Sequence, residues 1–202
     1  MPTVAVFDVG NILIRWDQRN LYQRIFADRR QMEHFLAHVC TNAWNLEQDR
    51  GRSWAEGEAE AIARHPECEA EIRAFRARWW ETVGGPIDAH VALLQTLQAR
   101  GVPTYAITNF AADTFAETCA RYPFMQNFHG VICSGEEKVC KPDPAIYRLL
   151  LDRYSLSAND CVFIDDSAAN IAAAEALGFH TIHYTIGLDA KGAFRQFGFP
   201  VD

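Results

Sequence analysis

The sequence lacks long apolar runs and clusters of positive charge, and each absence excludes a class of protein. No stretch approaches the ~20 apolar residues that a membrane span needs. Asp8 interrupts the only early apolar run, so no secretory signal peptide is expected. Lysine and arginine number 19 against 26 acidic residues, which gives a net charge of −7. Because nucleic acids are bound through clustered cations, neither a nucleic acid nor a membrane is an expected partner.

Cysteine is absent in one informative arrangement, because no C-x-x-C pair occurs in the chain. Several of the cysteines lie in apolar stretches such as GVICS and CVFID. The six positions are Cys40, Cys68, Cys119, Cys133, Cys140 and Cys161. Isolated and mostly buried thiols are typical of reduced proteins, so the sequence predicts a cytoplasmic protein without a disulfide framework.

Short apolar runs are present, and they indicate the fold. Each run is continuous rather than alternating: Val4–Phe7, Thr104–Thr108, Gly130–Cys133, Cys161–Ile164 and His180–Tyr184. Such runs suit strands that are covered on both faces, as in a parallel sheet. Helical patterns lie between them; Ile87–Arg100, for example, has one apolar face and stops at Gly101. The alternation predicts an α/β fold with a doubly wound, Rossmann-like parallel sheet.

Residues 17–84 interrupt this alternation. The segment has no strand-like run, is rich in charged and aromatic residues, and reads as several short helices. We predict a small inserted α-helical cap domain over residues 17–84, ending at the Gly84-Gly85-Pro86 turn. The α/β core then comprises residues 1–16 and 85–202, and a chain of 202 residues has room for both parts.

Polar residues follow the predicted strands where a parallel sheet binds its ligands, outside the carboxyl ends of the strands. They are Asp8, Thr108, Asn109, Lys141, Asp165 and Asp166, with Lys138 as a second candidate lysine. Two carboxylates ~4 Å apart repel by about 4 kcal/mol at an effective dielectric near 20, so something cationic must offset them. Mg²⁺ prefers oxygen ligands, and together with a lysine and a hydroxyl it suggests phosphoryl transfer.

The same residues carry a resemblance to a known family. The four motifs occur in the order and spacing of the haloacid dehalogenase-like hydrolase superfamily, which the chain resembles over essentially its whole length. They are Asp8 at a strand end, Thr108-Asn109, Lys141-Pro142-Asp143 and Asp165-Asp166. The insertion after the first motif is similar to the helical cap of the best-known subgroup. Within the superfamily, FDVGNILI resembles the first motif of sugar-phosphate phosphatases of the α-glucose-1-phosphatase type.

This resemblance implies a Mg²⁺-dependent phosphatase that acts on a small phosphorylated metabolite. Asp8 would attack phosphorus and form an aspartyl-phosphate. Thr108, Asn109 and Lys141 would bind the phosphoryl group, with Lys141 favoured over Lys138 because K-P-D matches the family. The implied Mg²⁺ ligands are Asp8, Asp165, Asp166 and the carbonyl of Gly10. A monomer and a homodimer both remain open.

Gly10 departs from the family pattern. Most phosphatases that the chain resembles carry a second aspartate there, which protonates the leaving oxygen and later activates water. Three explanations are open: a leaving group that needs no acid, another acid such as Asp17, or a different reaction. For Trp44 and the segment Glu47–Gly51 in the cap, packing or solvation is favoured over contact with substrate.

Two other functions stay open. A 2-haloacid dehalogenase on the same fold also lacks the second aspartate, needs no metal, and carries a tyrosine that Tyr147 matches. Asp165 and Asp166 argue against it, because dehalogenases have serines and an asparagine at that motif, and Ile12 stands where they carry threonine. The other alternative is a catalytically silent binding protein that has kept the fold.

Overall fold

Five parallel strands form the central sheet in the computed structural model, which describes all 202 residues of the chain. The strands of the protein are β1 (Val4–Phe7), β2 (Ile14–Trp16), β3 (Val83–Pro86), β4 (Thr104–Thr108), β5 (Gly130–Cys133), β6 (Cys161–Asp165) and β7 (His180–His183). The sheet has the order β5-β4-β1-β6-β7, and every neighbouring pair is parallel. The predicted doubly wound α/β fold is therefore confirmed.

Helices connect the strands and cover both faces of the sheet. They are α1 (Arg19–Tyr22), α2 (Arg29–His38), α3 (Asn42–Asp49), α4 (Trp54–Arg64), α5 (Glu69–Ala77), α6 (Asp88–Ala99), α7 (Ala112–Arg121), α8 (Ser134–Glu137), α9 (Pro144–Tyr154), α10 (Ala168–Glu175) and α11 (Ala190–Gln196). The helix predicted over Ile87–Arg100 is α6, and Gly101 after it has φ +75°, a conformation that glycine adopts without strain. No helix combines the length and the apolar character that crossing a bilayer requires.

The central strand β1 shows why the apolar runs are continuous. Its alternate residues enter two different apolar cores, one on each face of the sheet. Ala5 and Phe7 belong to a core of 22 buried residues, and Val4 and Val6 belong to another core of 13. Because burial of a Val or Phe side chain stabilises the fold by ~1.5–3 kcal/mol, polar residues are disfavoured on either face until the strand ends.

The helices α1–α5 pack around an apolar centre of their own. Twelve buried residues form it, and most of the large ones are aromatic. The ring of Tyr22 lies 4.8 Å from that of Phe35, and the ring of Trp44 lies 5.5 Å from that of Phe75. Trp44 also donates its indole N–H to the carbonyl of Gly57, which agrees with the packing interpretation. The exact boundaries of the cap stay a prediction.

The two chain segments that join these helices to the core form a short antiparallel ribbon. Strand β2 pairs with β3, so that Arg15 lies opposite Gly85. The prediction of a turn at Gly84-Gly85-Pro86 is therefore wrong. These residues pair through their backbones, and a Cβ at Gly84 would lie 3.0 Å from the Cβ of Arg15. The glycines permit this close approach, but they carry none of the β-branched side chains that normally mark a strand.

Candidate active site

The carboxyl ends of β1, β4 and β6 meet at one edge of the sheet. Strand β1 lies between the other two and is in register with both, so Asp8, directly after β1, stands in the middle of this edge. Thr108 is the last residue of β4 and Asp165 the last residue of β6. The chain folds this way because each apolar run ends where the two covering layers of helices end, and the first polar residues emerge there.

Lys141 binds two carboxylates from neighbouring strands. Its Nζ atom lies 2.7 Å from Oδ1 of Asp8 and 2.6 Å from Oδ2 of Asp165, and all three residues are buried. Burial disfavours the ammonium, but the charges of Asp8 and Asp165 outweigh this effect and raise the pKa of Lys141. The lysine is therefore a permanent positive charge beside the candidate nucleophile.

The surroundings of Asp8 disfavour its ionised form, so a cation in addition to Lys141 is needed to keep it ionised. Burial raises the pKa of Asp8 to about 7; Lys141 opposes this shift, and the charges of Asp165 and Asp166 add to it. The pKa of Asp166 is also raised, first by burial and then by the charge of Asp165. One ammonium thus faces three carboxylates, and a divalent ion would offset the remaining charge.

Asp165 already has all its oxygen atoms engaged. Its Oδ1 accepts hydrogen bonds from the backbone N–H of Ser167 at 2.8 Å and from the Asn170 amide at 3.0 Å. Its Oδ2 accepts from Lys141 at 2.6 Å and from the same Asn170 amide at 3.1 Å. Asp165 therefore mainly orients Lys141, whereas Asp166 is exposed, so its carboxylate is accessible to a ligand.

The residues at this edge suit a hard divalent cation. Carboxylate oxygens of Asp8, Asp165 and Asp166 all lie within 4.8 Å of one another. An all-oxygen set that can accept additional waters is what Mg²⁺ prefers. The residues that would hold the ion are Asp8 and Asp166. Asp165 belongs to the same acidic cluster but is bound to Lys141. The carbonyl of Gly10 stays a predicted ligand.

Thr108 has the properties expected of a group that binds an anion. The residue is 1% exposed, and its hydroxyl has no hydrogen-bond partner. More than nine in ten buried polar groups in proteins are paired, so an orphaned hydroxyl at the end of β4, the strand paired with β1, points to an absent ligand. A phosphate oxygen is a suitable acceptor for it.

Asn109 and the two candidate lysines have different surroundings from those that the motifs alone indicate. The Asn109 side chain accepts the backbone N–H of Lys141 at 2.8 Å and donates to the Lys141 carbonyl at 2.9 Å. Its amide therefore fixes the lysine-bearing loop, and its predicted contact with substrate stays a prediction. Lys138 is exposed, which favours Lys141 as the lysine of the site.

A cavity of about 90 Å³ opens directly above Gly10. A Cβ built at Gly10 would meet no atom within 4 Å, so the missing side chain leaves free space. The cavity is enclosed by residues of the inserted helices and of the core: Trp16, Asn45, Asp49, Trp54, Trp79, Asn109, Phe110 and Thr114. Most of these residues could not be assigned to a cavity wall from the sequence. The aromatic richness of the insertion was a signal, but it does not say which rings face the core.

Asp17, the candidate replacement acid, and Tyr147, which matches a tyrosine of the dehalogenases, both lie away from the cavity above Gly10. The Asp17 carboxylate accepts the backbone N–H of Arg19 at 2.8 Å, at the start of α1, and its side chain is 47% exposed. Tyr147 is completely buried and donates its hydroxyl to the carbonyl of Asn170 at 2.9 Å, so it supports the helix behind Asp165. Neither residue lines the cavity above Gly10.

Fold and site together define a class of α/β hydrolases that present an aspartate, a buried lysine and an acidic cluster at the carboxyl edge of a parallel sheet. A family model for haloacid dehalogenase-like hydrolases matches residues 3–178. The chain belongs to this family and is a hydrolase.

Three comparisons place the chain among known proteins. It is 25% identical to the sesquiterpene phosphatase astK of Aspergillus oryzae over 95% of the chain and 94% of that protein. It superposes on the HAD family enzyme bt-2542 of Bacteroides thetaiotaomicron, in complex with magnesium and inorganic phosphate, with a TM-score of 0.73 at 21% identity (96% and 100% covered). It also superposes on the L-2-haloacid dehalogenase of Xanthobacter autotrophicus, with a TM-score of 0.64 at 16% identity (100% and 85% covered). The fold alone therefore does not choose between phosphatase and dehalogenase.

Proposed function

We propose that the protein is a Mg²⁺-dependent phosphatase that hydrolyses a small phosphomonoester through an aspartyl-phosphate on Asp8. The observation that carries this proposal is the buried Lys141, which links Asp8 to Asp165 within a cluster of three carboxylates. A dehalogenase has no use for the two further carboxylates, because attack on carbon releases a halide and needs no metal ion.

Each residue of the site has a role in this reaction. Asp8 attacks phosphorus with the carboxylate oxygen that is not committed to Lys141. Lys141 neutralises an oxygen of the transferring group, and the free hydroxyl of Thr108 donates to another. Asn109 and Asp165 hold Lys141 in place by its backbone and its ammonium. When bound, Mg²⁺ supplies the positive charge that keeps Asp8 ionised and stabilises the phosphoryl oxygens.

The wall of the cavity supports an apolar alcohol as the leaving group. Trp16, Trp54, Trp79 and Phe110 present aromatic surface beside Gly10. Aromatic walls bind apolar carbon well, whereas a sugar needs several hydrogen-bonding groups around its hydroxyls. A related protein that is named a sesquiterpene phosphatase points the same way. The substrate class proposed is thus a small phosphorylated metabolite whose ester carbon is apolar, in preference to a sugar phosphate.

A panel of phosphomonoesters, assayed with and without Mg²⁺, tests this function. The panel contains short-chain alkyl and allylic phosphates, sugar phosphates and p-nitrophenyl phosphate, and a 2-haloacid is assayed for halide release. We expect Mg²⁺-dependent release of phosphate that Asp8→Asn abolishes, with alkyl or allylic esters preferred over sugar phosphates. Metal-independent halide release would establish the dehalogenase instead. An intact fold with neither activity would establish a silent binding protein.

A further inference from the structure

The cavity above Gly10 is lined by one carboxylate, that of Asp49, which has no role in the steps proposed for Asp8 and Lys141. Asp49, at the end of α3, lines this cavity together with Gly10 and Asn109. Gly10 contributes no side chain, and no atom lies within 4 Å of the position that its Cβ would occupy. Gly10 lies two residues after the candidate nucleophile Asp8, so Asp49 lines the same cavity as the chain segment that follows the nucleophile.

Asp49 belongs to the inserted helices but is fixed against the core. Its carbonyl accepts a hydrogen bond from the buried hydroxyl of Ser134 at 2.5 Å. Two residues further, Gly51 lies so close to the core that a Cβ there would be 3.1 Å from the carbonyl of Gly135. These contacts hold the end of α3 at a constant position over the sheet edge, as a proton-transfer group requires.

The surroundings of the Asp49 carboxyl suit a group that alternates between two protonation states. Its Oδ2 accepts from the Asn45 amide at 3.0 Å. Burial raises the pKa of Asp49 to about 7, and the backbone N–H of Ala111 opposes the shift. The other titratable groups that face it are the thiols of Cys133 and Cys140, and no lysine or arginine is paired with it. An acid whose pKa is near neutrality can both donate and accept a proton at physiological pH.

We propose that Asp49 is the catalytic acid and base of the reaction, reaching over Gly10 from the opposite wall of the cavity. The inference rests on the proposed phosphatase function and extends it to a residue contributed by the inserted helices.

The proton balance of the two steps is complete. In the first step, a carboxylate oxygen of Asp8 forms a bond to phosphorus, the bond from phosphorus to the ester oxygen breaks, and Asp49 gives its proton to that oxygen. The products are the free alcohol, the aspartyl-phosphate and the Asp49 carboxylate. In the second step, Asp49 takes a proton from water, the water oxygen bonds to phosphorus, and the bond to Asp8 breaks. Inorganic phosphate leaves, and both aspartates return to their starting states.

The test compares Asp49→Asn with Asp17→Asn, the matched variant of the other candidate acid. Substrates are a short-chain alkyl phosphate, whose alkoxide needs a proton, and p-nitrophenyl phosphate, whose phenolate leaves without one. Rapid-mixing kinetics separate the first turnover from the steady state. For Asp49→Asn we expect the alkyl ester to react about 10²–10⁴-fold more slowly in the first step. With p-nitrophenyl phosphate it should give a fast burst of one p-nitrophenol per enzyme, followed by slow turnover. Asp17→Asn should keep the wild-type ratio of the two substrates.

A rescue variant keeps the test decisive if Asp49→Asn alters folding. Gly10→Asp adds a carboxyl from the other wall into the same open space, so Asp49→Asn combined with Gly10→Asp should recover most of the lost turnover of the alkyl ester. Thermal unfolding of each variant is measured alongside.

The outcomes separate this inference from the function on which it rests. If the wild-type enzyme releases no phosphate from any ester, the proposed function is overturned and the role of Asp49 with it. If the wild type is active but Asp49→Asn is unaffected, or slows both substrates equally without a burst and without rescue by Gly10→Asp, only the role of Asp49 is overturned. A burst that rescue removes supports both.

Discussion

At the scale of single residues, the site depends on charges that are buried but compensated. Lys141, Asp8 and Asp165 form a group in which each charge is costly alone and tolerable together. Removing one member of such a group leaves an unpaired buried charge, which typically destabilises a protein by about 3–5 kcal/mol. Stability and chemistry are therefore linked through the same atoms.

Lys141→Met tests this linkage. The variant keeps the length of the side chain but leaves Asp8 and Asp165 without their cation, so the free energy of unfolding should fall by about 3–5 kcal/mol and phosphate release should be lost. Lys138→Met is the matched control; it removes an exposed charge and should change stability by less than about 0.5 kcal/mol. Denaturant titration measures both. Equal effects of the two substitutions would contradict the role of Lys141.

Asp49 gives a prediction of stability against pH that does not need activity. Burial raises the pKa of this carboxyl from its ordinary value of 3.8 to about 7. Between these two pH values, the folded state therefore holds a proton that the unfolded state has released. The stability that Asp49 contributes is then fully present below its ordinary pKa and is lost as the pH rises through about 7.

Asparagine cannot titrate, so Asp49→Asn should become more stable relative to the wild type as the pH rises from about 5 to about 8. Thermal or urea unfolding of the two proteins across this range measures the difference. A difference that stays constant, or that falls with pH, would show that the Asp49 carboxyl does not lie in the environment described above.

Asn170 illustrates what the sequence does and does not determine for a single residue. A spacing of four residues from Asp166 predicts a shared helix face, which is equally consistent with a role beside a metal ligand and with a place on the surface. In the structure it is buried and donates to both oxygens of Asp165. The periodicity of a helix gives the face that two residues share, but not what that face contacts.

At the scale of elements, strands were easier to predict than the surfaces of helices. All five strands of the central sheet follow from continuous apolar runs, because both faces of each strand are covered. Strand β3 was missed because Val83–Pro86 pairs through its backbone and contains two glycines and a proline. The wall of aromatic rings above Gly10 was missed because the orientation of a helix about its own axis depends on its tertiary partners, which lie far away in sequence.

The close contact between α7 and α8 should be sensitive to small changes. A Cβ at Gly135, the second residue of α8, would lie 2.4 Å from the backbone nitrogen of Ala112. Gly135→Ala should therefore reduce the free energy of unfolding by about 1–3 kcal/mol, because backbone must move to admit it. Gly10→Ala is the control for stability, since nothing lies within 4 Å of its Cβ. Equal midpoints of unfolding for the two variants would argue against the close packing of α8 on α7.

At the scale of the whole molecule, the acidic edge of the sheet should bind Mg²⁺ in the folded state only. The ligands come from segments that are far apart in sequence, so the unfolded chain offers no comparable site. Binding then increases the free energy of unfolding with the logarithm of the Mg²⁺ concentration, by about 2.7 kcal/mol at a hundred times the dissociation constant, and the midpoint of thermal unfolding rises with it.

Asp166→Asn should remove most of this stabilisation, because Asp166 is the exposed carboxylate of the acidic cluster. Asp152→Asn, which changes an exposed aspartate at the end of α9, should respond to Mg²⁺ as the wild type does. Thermal scans over a range of Mg²⁺ concentrations measure both. A full Mg²⁺ response in Asp166→Asn would place the cation elsewhere.

The core and the inserted helices contribute different parts of the site. The core presents a nucleophile, an ammonium and an acidic cluster at the ends of strands, and these could be identified from the sequence because motifs mark them. The inserted helices supply the other wall of the cavity, including Trp54, Trp79 and Asp49. No local pattern marks that wall, so the proposed acid could be recognised only after the two parts were seen together.

The most direct measurement of the central claim is acid quenching of the wild-type enzyme during turnover, followed by mass spectrometry of its peptides. With p-nitrophenyl phosphate and Mg²⁺, we expect one phosphoryl group on the peptide that contains Asp8, absent without Mg²⁺ and increased in Asp49→Asn. Release of phosphate with no adduct on that peptide under any of these conditions, or turnover that survives Asp8→Asn, would contradict it.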